Sequence, residues 1–297
     1  MRDRTLSVHS GRDGLGEAHV PPIDLSTTYK TPDLDRATAS IDSMAAGKAP
    51  TGGAIYQRLH NPTVARFEEA LAQLESAEAC VSFASGMAAV TAVLLATKFT
   101  GSHVVAIRPL YGGTDHLLSS GLLGVDVTWA TPETLQSAIR EDTALILCET
   151  PANPTLELID IEDIVTRAAG VPVLVDSTFA TPVLQKPLNH GASLVLHSGT
   201  KFLGGHSDVM AGAIACDEVW AQRLRQVRAI TGANPHPSQA DKEQKEFEDQ
   251  KAWRGEKPPN WYTSWFVKLL KNDKINIKKI INSVSQEPSL HLVFKTD

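Results

Sequence analysis

Cysteine is scarce in this sequence: the 297 residues hold three, Cys80, Cys148 and Cys216, far apart and in no C-x-x-C spacing. A disulfide framework and a structural zinc site both need clustered ligands, so neither is expected and a reducing compartment fits. No run approaches the roughly 20 apolar residues that cross a bilayer. The opening MRDRTLSVHSGRDG lacks the apolar centre of a secretory signal, and the expectation is a cytoplasmic protein with no membrane partner. The formal charge is −6, with no Lys/Arg-rich block before the last quarter, so no electrostatic footprint for nucleic acid is present. Internal repeats, a Walker loop and a G-x-G-x-x-G turn are missing too. What remains, 42% apolar residues, is enough for a real core.

The charge is not spread evenly. Residues 1–233 hold 17 Lys and Arg against 25 Asp and Glu, while 234–297 hold 11 against 9, and the basic type switches from mostly Arg to almost all Lys. The text divides into 1–50, Pro-bearing with few apolar repeats and expected as an extended arm; 51–233, expected as the main domain; and 234–297, a divergent Lys-rich tail, partly helical or disordered. Within the tail, 241–251 reads as a charged surface helix, and 261–271 could bury Trp261 and Trp265 on one side.

Between 63 and 229, β-branched apolar runs alternate with helix-period segments. The strands fall at 80–85, 103–107, 125–129, 144–149, 171–176, 193–197 and 211–216, with helices at 63–76, 86–98, 131–141, 160–170 and 217–229. Such alternation predicts an α/β fold with a mostly parallel, roughly seven-stranded sheet sandwiched by helices. Ligands of such sheets sit at the carboxyl ends of the strands, which directs attention to three places.

The strand 193–197 runs into Ser198-Gly199-Thr200-Lys201, a small hydroxyl-rich turn ending in an amine. Partial desolvation at a sheet mouth would lower the pKa of Lys201 and free it for Schiff-base chemistry, with Ser198 and Thr200 beside it as hydroxyl donors to a phosphate. Asp176 closes the strand VPVLVD at the same rim. A buried carboxylate there needs a cation, and a pyridinium nitrogen supplies one. Ser85-Gly86-Met87 opens the helix 86–98, where free N–H groups form an anion cup. Taken singly, each has an ordinary account: a solvated loop lysine, a strand-end cap, a plain helix start. Together they make the kit for pyridoxal 5′-phosphate. His197, His206 and Asp208 cluster in sequence, but no convincing remainder of a shell accompanies them, and no metal is expected.

From about Thr5 to about Ala233 the sequence resembles the fold-type I, pyridoxal-phosphate-dependent enzymes of cysteine and methionine metabolism, the trans-sulfuration family that includes cystathionine γ-synthase, cystathionine γ-lyase and methionine γ-lyase. The motifs are IYQRLHNPTV, FASGMAAV, PLYGGT, ETPANPTLELIDI, VDSTFATP and HSGTKFLGGHSD. The resemblance implies that Lys201 is the cofactor-bearing lysine and moves protons at the substrate α and β carbons. It implies that Asp176 pairs with the pyridine nitrogen and that Tyr111 stacks on the ring and assists proton transfer at the leaving group. Gly86 and Met87, with Ser198 and Thr200, would hold the phosphate, and Asn153 would lie near the cofactor hydroxyl and the substrate. Tyr56 and Arg58 would reach into a neighbouring subunit, implying a homodimer or homotetramer. Gly113 stands where methionine γ-lyases tend to carry cysteine, a tilt toward the cystathionine group.

Beyond Ala233 the family text stops. The smaller C-terminal domain reads as absent or replaced, and Arg254, the only later arginine, does not resemble the family's carboxylate-binding residue. The resemblance therefore implies γ-replacement or β/γ-elimination on a sulfur amino acid or activated homoserine. The alternatives are a truncated, catalytically impaired cofactor-binding or interaction protein, and a fusion or frameshift product.

Overall fold

A computed structural model of the chain describes residues 3–12, 20–31 and 33–249. The expected helix at 261–271 and Arg254 lie outside the described residues. The helices are α1 (Asp3–His9), α2 (Leu34–Ala45), α3 (Pro62–Glu75), α4 (Gly86–Ala96), α5 (Gly112–Ser119), α6 (Leu135–Ala138), α7 (Ile161–Arg167), α8 (Thr181–Leu184), α9 (Glu218–Thr231) and α10 (Pro237–Asp249). The strands are β1 (Ala79–Phe83), β2 (His103–Ile107), β3 (Asp126–Ala130), β4 (Thr143–Glu149), β5 (Val173–Asp176), β6 (Leu194–Ser198) and β7 (Gly212–Cys216).

Helix boundaries follow local chemistry. Asn61 caps α3 by accepting from the N–H groups of Thr63 and Val64, Pro62 presets the first turn, and Ser76 ends it with a left-handed φ of 59°. Asp217 caps α9 in the same way, and Gly232, φ 69°, stops it.

All seven expected strands form one sheet, in the order β1-β7-β6-β5-β4-β2-β3. Every pair is parallel except those made by β7, which runs against both β1 and β6. Side-chain alternation divides the sheet. Phe83, Leu145, Leu147, Leu174, Leu194 and Leu196 form one core with α4 and α9; Val105, Ile146, Cys148, Val173 and Val175 form the opposite one with α6 and α7.

Two expectations change. The segment expected as an extended arm contains α1 and α2, the latter capped by Asp33; a capped first turn supplies what its weak apolar repeat does not. The expected surface helix, α10, is docked on α3 instead. Ala240, Asp241, Glu243 and Gln244 are buried, with Gln244 donating to the Ser10 carbonyl at 3.2 Å. Charge alone had suggested a solvated helix, but polar partners on α1 and α3 accept its inner face.

Candidate active site at the strand ends

The alternation that buries Leu145 and Leu147, Leu174, and Leu194 and Leu196 against α4 continues one step further along each strand. It therefore turns Glu149, Asp176 and Ser198 toward the same face. Glu149 and Asp176 are register partners, as are Ser198 and Gly212.

The start of α4 closes tightly over this face. A Cβ on Gly86 would lie 2.9 Å from the Ser198 Cβ, and one on Gly212 would lie 2.2 Å from the Ser85 carbonyl oxygen. Glycine at both positions is what lets the helix end approach the sheet. The Ser85 hydroxyl accepts the Ala88 N–H at 3.1 Å. The N–H groups of Gly86 and Met87, in the first turn, have no acceptor within the helix.

Asp176 is buried, and desolvation raises its pKa, with hydrogen bonds from Thr178 pulling the other way. Both Thr178 bonds, from Oγ1 at 2.5 Å and from N at 3.0 Å, end on Oδ1. The Thr178 Oγ1 also accepts the Ser198 N–H at 2.9 Å, tying the ends of β5 and β6 together.

Glu149 is buried as well, and its carboxyl is pushed up to about 8, first by desolvation and then by the neighbouring Asp176. It accepts the backbone N–H of Tyr111 and, at 2.9 Å, that of Asn153. Tyr111 is the N-cap residue of α5, and its ring lies near Met87 at the start of α4: a Cβ on Gly113 would stand 2.6 Å from the Tyr111 Cε1 and 3.1 Å from the Met87 Sδ. Glu149 thus joins Tyr111 to Asn153 and Thr178 joins Asp176 to Ser198, with Gly86 packed on Ser198.

Other expected residues behave differently. Lys201 interrupts the turn Gly199–Leu203 with φ −94° and ψ −119°, and its side chain is exposed. That exposure differs from the partial desolvation expected of it. The Thr200 hydroxyl pairs with the Ala211 backbone at 3.3–3.4 Å. Tyr56 and Arg58 contact each other, with the guanidinium 5.3 Å from the ring centre, and Arg58 donates to the Ala229 carbonyl at the end of α9. His197 is buried against Glu75 at 2.5 Å, while Asp208 pairs with Lys242. Among the described residues no cluster of His, Cys, Asp and Glu is placed to hold a metal.

Sequence reasoning missed Glu149, Thr178 and Gly212. Glu149 carried a usable signal, since it closes a strand as Asp176 does. Thr178 lay within a quoted motif, but its link to the neighbouring strand is a tertiary fact.

An α/β sheet that keeps a dry carboxylate beside an anion-receptive helix start has the architecture of the fold-type I class of pyridoxal-phosphate enzymes. Comparison with known proteins agrees. Residues 4–242 match the Cys/Met metabolism PLP-dependent enzyme family, and the chain belongs to it. It is 59% identical over 242 residues to L-methionine gamma-lyase of Brevibacterium sandarakinum, covering 80% of this chain and 62% of the relative. Cystathionine gamma-lyase of Bacillus subtilis is 38% identical, over 78% of this chain and 60% of the relative. The structure of cystathionine gamma-lyase from yeast superposes with a TM-score of 0.76 at 28% identity, covering 95% of this chain and 74% of that one. The chain spans about three fifths of the length of the curated relatives it matches.

Family membership sets the cofactor as pyridoxal 5′-phosphate, and the residues present fit it. Asp176 is fixed through Oδ1, leaving Oδ2 for a ring nitrogen, and a cationic nitrogen would relieve the burial that raises its pKa. The close approach at Gly86 brings the first turn of α4 against the Ser198 side chain, so its free N–H groups and the Ser198 hydroxyl would hold the phosphate together.

Proposed function

We propose that residues 51–233 form a pyridoxal-phosphate-binding domain acting on sulfur amino acids or activated homoserine by β/γ-elimination or γ-replacement. The bound cofactor supplies an electron sink for carbanion chemistry. Within this reading the Lys201 amine carries the cofactor covalently and shuttles protons at the substrate α and β carbons. Asp176 Oδ2 holds the ring nitrogen in its protonated form. The N–H groups of Gly86 and Met87, with the Ser198 and Thr200 hydroxyls, bind the phosphate. Tyr111 packs on the ring and manages the proton at the leaving group, and Asn153 lies near the cofactor hydroxyl and the substrate. Tyr56 and Arg58 serve a neighbouring subunit's phosphate, giving a homodimer or homotetramer. The observation that carries the reading is the Thr178 clamp on one oxygen of a buried Asp176, on the sheet face against which the start of α4 packs.

On substrate, the names borne by the relatives at 56–59% identity, L-methionine gamma-lyase, weigh against the tilt drawn from Gly113. A second reading, cofactor binding with little or no turnover, draws support from the exposed Lys201.

The purified chain with pyridoxal 5′-phosphate is expected to be yellow, and Lys201→Ala colourless; a colourless saturated wild type refutes both readings. Release of a 2-oxo acid from methionine, homocysteine or cystathionine then separates enzyme from binder. A coloured monomer on size exclusion refutes the roles given to Tyr56 and Arg58.

A further inference from the structure

Glu149 ends β4 with its carboxylate almost wholly buried. A dry carboxylate is costly, and one in register with Asp176 on the neighbouring strand is costlier, since the two repel. What it does there is specific. Oε2 accepts the Tyr111 N–H from the loop that follows β2, and Oε1 accepts the Asn153 N–H from the turn that follows β4. One side chain thus ties together two loops that leave neighbouring strands. Tyr111 is the N-cap residue just before α5, so fixing its N–H fixes the direction in which the half-exposed ring leaves the backbone.

We propose that Glu149 is the positioning residue of this site: by clamping the backbones of Tyr111 and Asn153 it sets where their side chains stand relative to the ring that Asp176 holds. The role toward the ring rests on the cofactor reading above. Glu149 touches backbone only and acts through the two residues it holds. Because each carboxylate oxygen takes one N–H, a single-acceptor side chain holds one loop and releases the other.

The test uses the full chain, with and without pyridoxal 5′-phosphate. In the cofactor-free protein, Glu149→Ala is expected to raise amide hydrogen exchange at least tenfold in peptides covering 108–116 and 151–157, with α9 unchanged. Glu149→Gln, which keeps the shape and one acceptor, loosens one of the two segments. With saturating cofactor and Lys201 intact, the induced circular dichroism of the cofactor band falls at least twofold in Glu149→Ala, a signal that a purely structural role elsewhere would not move. Exchange that stays slow in both segments, or that rises across the whole sheet, overturns the proposal. So does an unchanged induced signal with cofactor bound. A wild type that takes up no cofactor refutes the cofactor reading and with it the role toward the ring, which distinguishes that failure from failure of the Glu149 clamp alone.

Discussion

Removing the Thr178 hydroxyl tests the reasoning about the site most directly. Thr178→Val keeps the β-branched shape and deletes one oxygen, which both donates to Asp176 Oδ1 and accepts the Ser198 N–H. A hydrogen bond to a charged group contributes about 1.5–3 kcal/mol, and a buried N–H left without a partner costs about 1–3 kcal/mol. Partial relaxation at a half-buried position brings the expected loss to about 2–4 kcal/mol, read as a lower urea midpoint at unchanged m. Asp176 would also lose the contact that fixes its rotamer, so pyridoxal 5′-phosphate should bind about ten- to a hundredfold more weakly, equivalent to about 1.4–2.8 kcal/mol. Thr178→Ser retains the oxygen and should stay close to wild type in both assays. If Thr178→Val shifts stability by less than about 0.5 kcal/mol and leaves cofactor affinity unchanged, the hydroxyl does not organise Asp176 and the account of the site fails.

Gly212→Ala places a Cβ 2.2 Å from the Ser85 carbonyl, with backbone on both sides of the contact; it should cost about 3 kcal/mol and weaken cofactor binding by displacing the start of α4, measured by thermal melts and titration. Glu149 is pushed up to about 8 in the cofactor-free fold against an ordinary value of 4.5. The folded state therefore binds more protons than the unfolded one between these values, and stability should fall as pH rises through that window by up to about 1.4 kcal/mol per unit. Glu149→Gln should flatten that slope in urea melts taken from pH 5 to 8, and an unaltered slope would contradict the assignment. Glu68 is half-buried, yet Arg228 and Ser82 outweigh desolvation and hold its carboxyl below the usual range. Arg228→Met should accordingly destabilise by about 3–5 kcal/mol, and Glu68→Gln in the same chain should recover part of it.

Much of the fold is legible in the sequence because the signals are local. β-branched runs bounded by helix-period text locate seven strands within about two residues, and the rule that ligands meet strand ends selects Asp176, Ser198 and the Ser85–Met87 turn. α5 escapes such reading, since Gly112 and Gly113 are poor helix formers and its eight residues make few apolar repeats. α10 misleads for the opposite reason: its composition reads as solvent-facing, but burial is decided by what α1 and α3 present to it.

The sequence by itself determined the strand and helix pattern, the family and the kind of cofactor, because periodicity and contiguous motifs are written along the chain. Tertiary structure alone decided that Glu149 stands in register with Asp176, that Thr178 bridges β5 and β6, that Gly212 admits the start of α4, and that Lys201 is exposed. Each of these depends on which strands become neighbours and which faces close on one another, and long-range pairing of that kind leaves no mark within any single segment.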